Sequence, residues 1–104
     1  MTPGLSQRTS LLVDSLFDPI DVDEARLWLE EECGNNLPFC GEADEFQMER
    51  IRFAALKISK GNPHKLLRAI EEARMDWRDL LLVAGFGTDE KAHEAWAKEV
   101  LQKP

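Results

Sequence analysis

Apolar positions along this 104-residue chain recur at three- and four-residue spacings, broken at intervals by Asn, Asp, Gly and Pro. That period is the mark of helices with one face turned inward. Residues 1–10 show no period and read as a flexible N-terminal arm. Leu11, Leu12, Leu16 and Phe17 then give a short helix that ends before Pro19. A second helix is expected over about 22–33. Asp21 is a good N-cap with Glu24 three residues on, Val22, Ala25, Leu29 and Cys33 share a face with Trp28 at its edge, and Gly34 is a natural stop. Asn35 to Gly41 is punctuated by Asn, Pro and Gly and reads as a loop, with Leu37 and Phe39 plugging the core.

The pattern from Glu42 to Lys60 is helical again and unusually broad. Phe46, Ile51, Phe53, Leu56 and Ile58, with Ala54 and Ala55, cover more than half the circumference, which predicts a central helix covered on several sides. Gly61 ends it. Asn62 caps the next helix, with Pro63 at the first helical position where a missing N–H costs nothing, and Leu66, Leu67, Ile70 and Ala73 form its stripe to about Met75. Asp76 caps again, with Asp79 three residues on. Trp77, Leu80, Leu81 and Ala84 make a short helix that stops at Gly85-Phe86-Gly87. Thr88 or Asp89 caps a last helix whose inward residues are Ala92, His93, Trp96, Ala97 and Val100. No segment alternates with period two between turn signals. The expected fold is therefore all-α, a compact bundle of four to five short helices forming a single domain over 11–104.

Composition narrows the class. Hydrophobic residues are 43% and charged residues 32% of the chain, the balance of a globular protein rather than a disordered tail. The longest apolar runs, Leu11-Leu12-Val13 and Leu80 to Phe86, are too short for a transmembrane helix or a signal-peptide core. A cytoplasmic protein with Cys33 and Cys40 reduced is the expectation. The net charge of −7 opposes non-specific attraction to nucleic acid or an anionic membrane, so neither is expected as a partner.

That charge is unevenly spread. Residues 1–49 hold 12 acidic and 2 basic side chains, whereas residues 50–78 hold 3 acidic and 8 basic ones. The simpler expectation is internal, with the acidic half lying against the basic middle in surface pairs of ~0–1 kcal/mol each. The alternative is a bipolar surface that steers a charged protein partner.

Chemistry-bearing motifs are sparse. Cys33 and Cys40 lie too far apart for a zinc knuckle, and His64 and His93 have no close partner, so neither metal nor cofactor is expected. His93 sits on an inward stripe, as a partly buried side chain does. Asp14, Asp18, Asp21 and Asp23 lack the Gly and Glu spacing of a calcium loop. The helices flanking Gly85–Thr88 have helix-turn-helix spacing, but the second carries Asp89, Glu90, Glu94 and Glu99 against Lys91 and Lys98, which a phosphate groove would repel.

The densest polar and aromatic cluster is Arg74-Met75-Asp76-Trp77-Arg78-Asp79. It serves as a helix cap with a Trp anchor, and as a recognition corner it would use residue types that dominate interface hot spots. Arg68, Arg74, Trp77 and Arg78 are the candidate interaction surface; no catalytic residue is assigned. The expected role is a small non-catalytic adaptor or regulatory domain that binds another protein, itself a monomer or weak homo-oligomer. The alternative is a small enzyme or ligand carrier with a site between helices near His93, Cys33 and the Arg/Asp corner.

Overall fold

The computed structural model describes residues 5–32, 45–89 and 91–102. Five helices are formed among them: α1 (Gln7–Leu16), α2 (Pro19–Glu32), α3 (Glu45–Ser59), α4 (Pro63–Ala84) and α5 (Ala92–Gln102). No strand occurs among the described residues, and the all-α expectation holds. The radius of gyration is 12.3 Å, close to the ~13 Å of a compact chain of this length. No helix among the described residues is long and apolar enough to cross a membrane.

The N-terminal boundary differs from the expectation. The stretch read as an arm to residue 10 contains the first turn of α1, which starts at Gln7. Ser6 caps that turn, its Oγ accepting from the Thr9 backbone N–H at 3.2 Å. The same hydroxyl donates to Glu49 of α3 at 2.7 Å, which leaves the Thr9 hydroxyl as donor in the 2.8 Å Ser6–Thr9 contact. Arg8 pairs with the other oxygen of Glu49 at 2.9 Å. The start of α1 is thus held by polar groups from a distant helix, a signal that apolar periodicity does not carry.

A second correction concerns α2. Pro19 does not merely follow the first helix; it opens the second, and the Asp21 N–H donates to the Asp18 carbonyl at 2.8 Å. Asp21 therefore sits inside the first turn rather than at the cap, where its charge still favours the helix N-terminus. Ala25 and Leu29 are buried as expected, with Val22 and Trp28 packed beside them. Cys33, the loop 35–41 and Cys40 lie outside the described residues.

Helix α3 is central. Ile51 to Leu56 are buried without interruption, including Arg52, and α3 packs on α1, α4 and α5. Its end is built locally: the buried Ser59 hydroxyl donates to the Leu56 carbonyl at 2.7 Å and accepts from the Gly61 N–H at 3.3 Å. Lys60 and Gly61 both take left-handed conformations, with φ of 51° and 79°. A Cβ at Gly61 would run into the Leu16 carbonyl oxygen, so close approach of α1 demands glycine there as much as φ does. Asn62 then caps α4 through His64 N–H at 2.9 Å and Lys65 N–H at 3.1 Å.

Helix α4 is continuous in trace but broken at Asp76, whose φ of −155° and ψ of 93° are not helical. The Asp76 carboxylate accepts from the Arg78 and Asp79 N–H groups at 3.1 and 3.3 Å. The two helices expected around Asp76 are therefore the two halves of α4. Its end at Gly85 has a left-handed φ of 85°, with Gly85 N–H bonded to Leu82 and Phe86 N–H to Leu81. This is a Schellman stop whose following residue, Phe86, is buried. Asp89 caps the last helix by accepting from the Lys91 N–H at 2.8 Å.

Candidate docking surface on α4

The last turn of α4 holds no basic residue of its own. Two cations from α3 serve in its place. Lys57 Nζ donates to the Ala84 carbonyl at 2.7 Å and lies 5.0 Å from the centre of the Phe86 ring. One turn-pair earlier on α3, the largely buried Arg50 donates to the Phe86 carbonyl. Positive charge at a helix C-terminus meets the partial negative charge of the terminal carbonyls. Two residues of the basic middle thus donate to backbone carbonyls inside the fold, acceptors that the expected pairing with the acidic half did not include. The ion pairs Arg8–Glu49 and Arg26–Asp14 each join residues of the N-terminal half to one another.

Phe86, clamped in this way, belongs to an aromatic cluster with Phe53, His93 and Trp96. Phe53 lies 5.5 Å from His93 and 6.1 Å from Trp96, and Phe46 meets His93 edge-on at 4.9 Å. His93 is fully buried rather than partly so. Its ring is a packing element of the core, with no face open to a ligand. Among the described residues no group of three or more His, Cys, Asp and Glu side chains is placed to hold a metal ion.

The second half of α4 presents an apolar ridge to solvent. Leu80 and Leu81 turn inward, while Leu82 and Val83 remain 60% and 68% exposed. Four consecutive apolar residues span more than one helical turn, so some must face away from the core. On the Val83 side lies an open depression of about 290 Å³, lined by Ile58, Lys65, Arg68, Ala69, Glu72, Leu80 and Val83. Its lining comes from both halves of α4, on either side of the break at Asp76, and from Ile58 of α3. On the Leu82 side lies another of about 360 Å³, lined by Arg50, Trp77, Arg78, Leu81, Leu82 and Gly87. The Arg78 guanidinium stands 5.3 Å from the Trp77 ring centre.

The sequence-based candidates are therefore brought together only in part. Trp77 and Arg78 share one depression and Arg68 lines the other, with the Leu82–Val83 ridge between them. Arg74 is exposed and lines neither. Leu82, Val83 and the 84% exposed Met75 were not among the candidates, although the four-residue apolar run and the Met just before a cap both mark them. Comparison with protein-family models, curated proteins and solved structures finds no match to this chain.

Proposed function

We propose that this chain is a non-catalytic protein-interaction domain, an adaptor or regulatory module, that docks its partner on the Leu82–Val83 ridge of α4. The observation that carries the reading is the pairing of exposed apolar side chains with flanking cations. Large aliphatic groups left in water flanked by polar rims are the common mark of an association surface. Lys65 and Arg68 stand on one flank and Arg78 on the other, against Glu72 and Asp79. That balance favours a partner whose apolar contacts are ringed by carboxylates, with association speeded by the field. The setting proposed is the cytoplasm, in keeping with a sequence that holds only two cysteines.

Leu82→Glu and Val83→Glu test this. Both positions are exposed, so both variants should fold with the wild-type helical spectrum, the denaturant midpoint falling only slightly from the carboxylate in the last turn of α4. Proteins that co-purify with the wild type from its native cell should be lost from both variants. Recovery of the same proteins in undiminished amount with folded Val83→Glu would refute the reading.

A further inference from the structure

The chain carries, on α2, a surface that complements the α4 ridge. Ile20, Glu24, Leu27 and Glu31 recur at i, i+4, i+7 and i+11, so they form one stripe along that helix, with Asp23 beside it. All five are exposed, Ile20 by 87% and Leu27 by 49%. The inward side of α2 is complete without them, since Ala25 and Leu29 fill it. Ile20 and Leu27 stand two turns apart, roughly 10 Å. Three carboxylates, from Asp23, Glu24 and Glu31, flank them, and the single basic residue of α2, Arg26, is held by Asp14 at 2.7 Å. One helix thus shows aliphatic groups among carboxylates, and another shows aliphatic groups flanked by the exposed cations Lys65, Arg68 and Arg78, with Glu72 and Asp79 beside them.

We infer that the occupant of the α4 ridge is a second copy of this chain, which seats the outward stripe of its α2 between the two α4 depressions. This rests on the docking role of the ridge and names its partner. Leu27 packs against Leu82 and Val83, while Glu24 and Glu31 face the cations Arg68 and Arg78. The two patches differ, so the contact is heterologous. Copies join head to tail and leave one free α2 stripe and one free α4 ridge at the ends, unless the rotation closes a ring. Association strengthens with protein concentration and weakens with salt, because part of the attraction is between exposed charges.

Sedimentation velocity on the full chain over a wide concentration range, at low and high salt, tests this with two variants. Leu27→Glu places a like charge on the acidic stripe, and Val83→Glu places a charge on the apolar ridge; both sites are exposed, and circular dichroism checks that each variant folds. The expected result has three parts. The wild type associates reversibly beyond the dimer or as a closed ring, each variant alone loses at least tenfold in self-affinity, and an equimolar mixture of the two gives a one-to-one heterodimer that grows no further. The mixture is decisive because each variant supplies the surface the other lacks. A wild type that stays monomeric at millimolar concentration overturns the inference, as does self-association indifferent to Leu27→Glu. If the wild type is monomeric while Val83→Glu still releases a different cellular protein, the ridge has another occupant: self-association is refuted and the docking surface stands. If Val83→Glu alters neither, both readings fall.

Discussion

Replacing Lys57 by Met removes the ammonium group that α3 extends to the end of α4, while a linear apolar stem of similar length keeps the packing. The lost interactions are a 2.7 Å charge-assisted bond to the Ala84 carbonyl and a cation 5.0 Å from the Phe86 ring. A hydrogen bond to a charged group contributes ~1.5–3 kcal/mol, and a partly exposed cation–π contact ~0.5–1 kcal/mol. One ammonium makes both, and Lys57 is half-buried, so water recovers part of the loss. The expected cost is about 2 kcal/mol, nearer the lower sum than the upper. Urea melts followed by far-UV circular dichroism should show the midpoint falling by ~1 M at unchanged slope. Arg50→Met should cost a comparable amount, because it strands the Phe86 carbonyl. The double variant should depart from additivity, since both cations hold one helix end. A loss below ~0.5 kcal/mol for Lys57→Met, or strict additivity of the pair, would refute the idea that α3 caps α4 in trans.

Phe53→Ala should destabilise the fold by ~3–5 kcal/mol, since Phe53 is fully buried among His93 and Trp96; a loss under 1 kcal/mol in denaturant would remove α3 from the centre. Gly61→Ala should cost at least ~1–2 kcal/mol from the left-handed backbone alone, with more from the Leu16 carbonyl, and a neutral result would show that the turn relaxes freely. Asp76→Ala removes the carboxylate that holds two N–H groups at the break in α4, which should cost ~1 kcal/mol; no change in the urea midpoint would deny Asp76 its capping role. Adding a chelator should leave the melting temperature unchanged, and a marked drop would reveal a structural metal.

What was legible in the sequence is what local rules encode. Asn62-Pro63, Asp76 and Gly85 announced their caps and stops because the groups they satisfy lie within four residues. The arc on α3 was legible for the same reason, as a helix apolar over more than half its circumference is covered on several sides. The start of α1 was not, because Ser6 and Arg8 are held by Glu49, more than forty residues away. Arg50 and Lys57 looked like surface charge for a similar reason: their acceptors are backbone carbonyls of another helix, which no side-chain pattern marks. On the candidate surface, Trp77 and Arg78 were found because residue type flags them. Leu82 and Val83 already fell outside the inward stripe of Trp77, Leu80, Leu81 and Ala84, but they were missed as a surface because the candidates were chosen by Trp and Arg residue type and not by which apolar groups the stripe leaves in water.

The claim on which the rest depends is that the Leu82–Val83 ridge is covered by protein in the cell. A photo-activated cross-linking residue placed at Val83 tests it directly, with the same residue at Glu71, exposed on the first half of α4, as the control. The account predicts a discrete protein adduct from position 83 that is absent or much weaker from position 71. Equal adducts from both positions, or none from position 83 in a folded, expressed protein, would contradict it.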